Sequence, residues 1–233
     1  MKRFAHRGAS ALAPENTLAA FQKAVDLGCE WIETDLRLTS DGFPVLIHDE
    51  TLERTTSGAG RVGDITLGRL LALDAGGWFS RNFRGERVPS LEEALQWGRH
   101  RCSFNLEIKE EERIDQLVSH LGRRFRKHQA LDGILFSSFH AGALRRIRAA
   151  IPSARLGWLA SKHTRGLSAL NRAVGLAALH PKERLVTRRL IRRCHRLGLA
   201  THVWVVNRPR RIREMEQLGV DGVMTDDPRL FDP

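Results

Sequence analysis

The stretch WIETDLRLTSDGFPVLIHD, residues 31–49, holds two apolar runs on either side of a tight turn. Residues 31–36 read as a strand, Thr39-Ser40-Asp41-Gly42 is a turn signature, and residues 45–47 read as a second strand, so the pair predicts a hairpin. That reading settles a count. Nine strand-like runs occur along the chain, at 3–6, 31–36, 45–47, 104–108, 133–136, 156–159, 175–179, 202–206 and 222–224. With the third folded back on the second, eight remain for a parallel sheet. Helical stretches lie between most of them, at 17–27, 91–97, 113–125, 141–149, 183–197 and 210–218. Repeated strand–helix units in this number predict an α/β fold, a (β/α)8 TIM barrel, with its chemistry at the C-terminal ends of the strands.

Working outward from the hairpin, the first helical stretch places Leu18, Phe21 and Val25 on one face, with Asn16 as its expected N-cap and Gly28 as its stop. After the hairpin, residues at about 50–89 are rich in polar side chains and glycine (Gly58, Gly60, Gly63, Gly76, Gly77). So long a connection predicts a small inserted lobe over the barrel mouth, in a single domain spanning 1–233. Leu67, Leu70, Leu71, Leu73, Trp78 and Phe79 recur in the lobe at helical spacing, which favours their burial under it.

Composition narrows the class. The chain has 233 residues, 42% hydrophobic and 28% charged, an ordinary globular balance that excludes disorder and collagen. No stretch reaches the roughly 18 apolar residues of a membrane span, and no signal-like segment precedes Phe4, so the expected location is cytoplasmic. Cys29, Cys102 and Cys194 are far apart with no CxxC pair, so reduced buried thiols are expected rather than disulfides or a zinc site. The net charge is +11, unevenly spread: residues 113–213 carry 23 Lys and Arg against 3 Asp and Glu. A basic middle of this kind raises a nucleic-acid reading. Its Arg runs at 123–127, 145–148 and 188–196 lie in helical stretches, however, and no nucleic-acid motif accompanies them. A solvated helix layer with no specific nucleic-acid partner is the expectation.

Charged residues gather where strands end. His6-Arg7-Gly8 closes the first run, Glu33-x-Asp35 lies in the second, His48-Asp49 ends the hairpin, and Glu107-x-Lys109 ends the next barrel strand. Residues two apart on a strand share a face, so Glu33 and Asp35 both point inward, as do Glu107 and Lys109. Three inward carboxylates repel one another unless a cation joins them, and an all-oxygen set suits Mg²⁺ or Ca²⁺. Glu107 and Lys109 also fit a structural ion pair. Two histidines can divide general-base and general-acid work, while Arg7 and Lys109 offer positive charge to an anion. Together these groups suit displacement at a phosphodiester.

The ordered series His6-Arg7-Gly8, Pro14-Glu15-Asn16-Thr17, Glu33-x-Asp35, Thr39-x-Asp41-Gly42, His48-Asp49, Arg54-Thr55-Thr56, Glu107-Ile108-Lys109, Ser137-Ser138-Phe139, Trp204-x-Val206-Asn207 and Gly219-Val220-Asp221-Gly222 resembles the glycerophosphodiester phosphodiesterase family over nearly the whole chain. The resemblance implies a metal-dependent hydrolase that cleaves a small-molecule glycerophosphodiester to glycerol 3-phosphate and an alcohol. It implies His6 and His48 as the catalytic pair and Glu33, Asp35 and Glu107 as ligands of one divalent cation, Mg²⁺ or Ca²⁺. Arg7 and Lys109 then contact phosphate, and Trp204 forms a substrate wall. Val205 stands where the family commonly has Thr, and residues 161–182 carry no family motif, so the alcohol side of the pocket lies outside the resemblance. Two other readings follow from the same residues: a lysophospholipase D using this site on a lipid-bearing diester, and a basic binding module on an inactive barrel.

Overall fold

The computed structural model describes residues 1–126 and 131–232. Eight parallel strands close into a barrel: β1 (Lys2–His6), β2 (Trp31–Leu38), β4 (Ser103–Ile108), β5 (Ile134–Ser138), β6 (Leu156–Ala160), β7 (Ala178–Pro181), β8 (Ala200–Val203) and β9 (Gly222–Thr225). Closure comes from β1, which pairs with β2 on one side and β9 on the other. The ninth strand, β3 (Pro44–Leu46), runs antiparallel to β2 with Leu36 opposite Leu46. Its turn is closed by Gly42 N–H to the Thr39 carbonyl at 3.0 Å. The hairpin reading thus holds.

Helices α1 (Leu18–Asp26), α2 (Leu67–Leu70), α3 (Leu91–Gly98), α4 (Ile114–Arg124), α5 (Ala141–Ala150), α6 (Leu167–Val174), α7 (Arg188–Arg196) and α8 (Pro209–Leu218) connect the strands. Except for α2 they bury apolar faces against the outside of the barrel, so the main core lies between sheet and helices, around Phe21, Ile32, Phe104, Leu121, Phe136 and Leu144. A smaller cluster of Phe4, Trp31, Leu135 and Met224 fills the barrel itself. The basic runs fall on α4, α5 and α7 with Arg123, Arg145, Arg146, Arg189 and Arg192 exposed; Lys127, the end of the first run, lies outside the described residues. Among the described residues no helix is long and apolar enough to cross a membrane.

Two helical expectations need correction. Helix α6 lies in residues 161–182, where no helical stretch was expected. The N-cap of α1 is Thr17, whose hydroxyl accepts from Ala20 N–H at 3.3 Å and donates to the Pro14 carbonyl at 2.7 Å. Asn16 is instead buried with φ +58, and its side chain turns into the barrel. Gly28 ends the helix as expected, at φ +78.

Residues between β3 and α3 pack on their own apolar cluster, including Val45, Leu52, Val62, Leu70 and Val88. Leu67 and Leu73 are half-buried against it, while Trp78 is 42% exposed. Cys29 and Cys194 are buried free thiols and Cys102 is half-buried, and burial pushes the Cys29 thiol up to about 12.

Candidate active site

Strand register brings the expected residues together. On β1, β2 and β4, His6 stands opposite Glu33 and Asp35 opposite Glu107. Glu33, Asp35 and Glu107 are 2%, 1% and 7% exposed, and one carboxylate oxygen from each falls within 4.8 Å of the others. A cavity of about 150 Å³ opens above them, lined by His6, Arg7, His48, Lys109, Phe139 and Trp204 among others. Every residue singled out as catalytic, phosphate-contacting or wall-forming therefore borders one space, and Asp35 is buried beside the two carboxylates, Glu33 and Glu107, that line it.

The backbone after β1 explains how Arg7 enters. Arg7 takes φ +57 and Gly8 φ +81, a left-handed turn that lays the Arg7 N–H on Glu33 Oε2 at 3.1 Å. The Arg7 side chain then runs between Glu15, at 2.9 Å from Nη1, and Asp35, at 3.4 Å from Nε. Lys109 Nζ lies 2.7 Å from Glu107 and 3.5 Å from Asp35.

Each histidine is anchored through Nδ1. His6 Nδ1 meets Asp226 Oδ1 at 2.6 Å, and His48 Nδ1 meets Asp49 Oδ1 at 2.7 Å. A carboxylate only accepts, so both Nδ1 atoms carry the proton and both rings offer Nε2 to the cavity. Burial would raise Asp226, but hydrogen bonds from His6, Asn207 and Ser10 hold it below the usual carboxylate range. Burial lowers His48, an effect reinforced by Arg7 and Lys109 and only partly offset by Asp35 and Asp49. Arg37, on the β2 face that carries Glu33 and Asp35, donates Nε to the His48 carbonyl at 2.9 Å.

The three carboxylates divide electrostatically. Burial and the charges of Asp35 and Glu107 push Glu33 well above the ordinary carboxyl range, and burial with Asp35 raises Glu107 to about 7. Burial acts on Asp35 too, but Arg7, Lys109, His48 and the Asn16 amide together hold it low. Asn16 Nδ2 donates to Asp35 Oδ2 at 3.0 Å while its Oδ1 accepts from Thr34 at 2.7 Å, which fixes the amide's orientation. Glu33 Oε1 is buried with no hydrogen-bond partner among the described residues. A buried carboxyl oxygen without a donor fits a cation position.

Some site residues escaped the sequence reading. Asp226 lies just past β9; its signal was an acidic pair, Asp226-Asp227, at the C-terminal end of a barrel strand. His180 and His202 are fully enclosed at 0% and 2% exposure, with Nε2 of His180 3.2 Å from Nδ1 of His202. Trp204 stacks edge-to-face on Phe139 at 5.5 Å and donates Nε1 to the His180 carbonyl at 2.8 Å.

Known proteins match nearly the whole chain. The model of the glycerophosphoryl diester phosphodiesterase family matches residues 6–230. A glycerophosphodiester phosphodiesterase of Caldanaerobacter subterraneus subsp. tengcongensis is 37% identical over 232 residues, covering 97% of this chain and 94% of that protein. One from Bacillus altitudinis is 34% identical over 239 residues, covering 97% and 95%. Among solved structures, an Oleispira antarctica phosphodiesterase in complex with the product sn-glycerol-3-phosphate is similar at a TM-score of 0.93 and 30% identity, covering 98% of this chain and 94% of that one.

Proposed function

The chain belongs to the glycerophosphoryl diester phosphodiesterase family, and from that premise we propose that it hydrolyses glycerophosphodiesters to sn-glycerol 3-phosphate and an alcohol. One observation carries the reading: two histidines anchored by Nδ1 offer Nε2 to the cavity that Arg7, Lys109, Glu33 and Glu107 also border. Glu33, Asp35 and Glu107 would hold one divalent cation, Mg²⁺ or Ca²⁺; the unpartnered Glu33 oxygen and the all-oxygen donor set fit it. When bound, the cation supplies positive charge for the oxygens on which charge develops during phosphoryl transfer.

Arg7 and Lys109 bind and orient the phosphate through charge-assisted hydrogen bonds. The glycerol 2-hydroxyl attacks phosphorus as its proton passes to one histidine Nε2; the other histidine protonates the departing alkoxide. Water then opens the cyclic phosphate with the two roles exchanged. His48, held neutral by burial, suits the first proton acceptance. Trp204 and Phe139 form an apolar wall beside the glycerol. A cavity of about 150 Å³ suits a small phosphoglyceryl group, and the alcohol extends toward an open groove of about 660 Å³ that shares Lys109 and carries Arg37, Glu50 and Arg61. That polar groove favours short hydrophilic alcohols over acyl chains, and most lobe leucines turn inward, so choline release from micellar lysophosphatidylcholine is expected to be slow.

The test is glycerol 3-phosphate release from glycerophosphocholine by EDTA-stripped protein, with Mg²⁺ or Ca²⁺ returned separately. Turnover restored by metal and lost in His6→Ala is the expected result. No turnover on any short glycerophosphodiester, despite bound metal, overturns the reading.

A further inference from the structure

Arg54, at the start of the lobe, does not line the cavity, yet its guanidinium joins two carboxylates that each hold a residue lining it, Arg7 and His48. Nη1 donates to Glu15 Oε2 at 2.8 Å and Nη2 to Glu15 Oε1 at 2.9 Å, a bidentate pair. Its Nε donates to Asp49 Oδ2. Each carboxylate has a further partner. Asp49 Oδ1 accepts from His48 Nδ1 at 2.7 Å, and Glu15 Oε1 accepts from Arg7 Nη1 at 2.9 Å. A continuous path thus runs His48–Asp49–Arg54–Glu15–Arg7. Among the described residues no hydrogen bond joins His48 to Arg7 directly, although the first follows β3 and the second follows β1.

We propose that Arg54 is a positioning residue that sets His48 and Arg7 in fixed relation, so that the proton acceptor and the phosphate-binding cation keep one geometry. The inference rests on the reading that both residues serve phosphodiester hydrolysis.

The guanidinium suits this task for a geometric reason. Its planar fork holds two carboxylates in one plane and fixes their rotation, which a lysine ammonium, a point charge on a flexible stem, does not. A carboxylate alone also has two equivalent oxygens. With Arg54 occupying Oδ2 of Asp49, Oδ1 is left for the imidazole; with Arg54 across both oxygens of Glu15, Arg7 meets Oε1 along a set direction. The arginine side chain is 45% exposed, so its removal opens no core cavity. A link that merely tethers lobe to barrel would show itself in stability alone.

The experiment compares wild type, Arg54→Lys, Arg54→Ala, Asp49→Asn and the Arg54→Ala/Asp49→Asn double variant. Turnover, melting temperature and the His48 ring Nδ1–H proton followed by NMR are the readouts. Small displacements of reacting groups cost on the order of 100-fold in rate, so Arg54→Ala is expected to lower kcat by about that factor with KM little changed. Arg54→Lys should recover only part of it. The double variant should lose less than the product of the two single losses, because both act on one path. The His48 Nδ1–H signal, slowly exchanging in wild type, should broaden or vanish in Arg54→Ala.

Wild-type kcat in Arg54→Ala, a loss confined to melting temperature, or losses that multiply fully while the His48 signal stays intact would each overturn the proposal. If wild type hydrolyses no glycerophosphodiester, the reaction reading fails by itself. The His48 signal in Arg54→Ala then decides the role of Arg54 without reference to turnover.

Discussion

A Cβ added at Gly8 would lie 2.7 Å from both the carbonyl carbon and the Cβ of Ala20, and the backbone there has φ +81. Left-handed backbone costs a non-glycine residue about 1 kcal/mol, and forced overpacking about 1–3 kcal/mol more. Gly8→Ala is therefore expected to lower stability by about 3 kcal/mol, or roughly 10 °C in melting temperature for a chain of this size, seen by calorimetry. The same turn aims the Arg7 N–H at Glu33, so turnover should fall with it. Site roles separate at this scale as well. Glu33→Ala, Asp35→Ala and Glu107→Ala should each abolish most turnover and weaken Ca²⁺ or Mg²⁺ binding in isothermal titration. His48→Ala should abolish turnover while cation affinity stays within a few-fold of wild type, and loss of the cation there would refute this division of work. The ionisable residues of the cavity were legible because each lies in a strand or just past its end, where burial without a task is costly. Asp226 escaped because its partner, His6, is 220 residues away. Asn16 read as a cap because local sequence favours that use of asparagine. Its buried contact with Asp35 depends on β2, which no local pattern reveals.

Strands β7 and β8 carry a pair of buried histidines whose energetics follow from their surroundings. Burial lowers His180 to about 3, and burial with neighbouring charge lowers His202 well below its ordinary value. Both rings stay neutral in the folded state, while in the unfolded chain they bind protons below about pH 6.5. The unfolded state then binds more protons, so this stability is present above pH 6.5 and is lost as pH falls toward about 3. Each group contributes at most about 1.4 kcal/mol per pH unit. Denaturant unfolding of metal-free wild type and His180→Leu between pH 6.5 and 5 should differ in slope by about that amount, with wild type falling faster on acidification; equal slopes would contradict the burial argument. These histidines also show where sequence reading stops. The nine strand runs were visible as apolar runs between turn residues, and the hairpin as a turn signature, because short-range pattern sets both. Helix α6 was missed because it is only eight residues long and Ser168, Asn171 and Arg172 interrupt its apolar residues, of which Leu167, Leu170 and Val174 are buried. His180 and His202 are polar residues on short strands, and only the closed barrel turns them inward.

Across the whole molecule, the carboxylates and the buried histidines pull stability in opposite directions with pH. Glu107 is raised to about 7 in the folded state and Glu33 is raised well above its ordinary range, so without a cation these two carboxyls bind more protons in the folded protein than in the unfolded chain. That contribution is fully present below about pH 4.5 and is lost as pH rises through 7. It offsets the histidine term between about pH 4.5 and 6.5, and above 6.5 the carboxylate term stands alone, so the metal-free protein weakens toward alkaline pH. A divalent cation held by Glu33, Asp35 and Glu107 would reverse this, because it would replace those protons. Saturation at a hundred times the dissociation constant adds about 2.7 kcal/mol, or roughly 5–10 °C in melting temperature at this chain length. Protons compete for the same oxygens, so the gain should be small at pH 6 and reach its full size at pH 8. Thermal unfolding in EDTA and in millimolar Ca²⁺ or Mg²⁺ across that range measures it. A gain independent of pH would place the cation on oxygens other than the raised carboxylates, and no gain with either metal would remove the cation from the site altogether. In Glu107→Gln the pH dependence of the gain should shrink, since one of the two raised carboxylates is then gone, while the histidine-driven loss of stability at acid pH stays as in wild type.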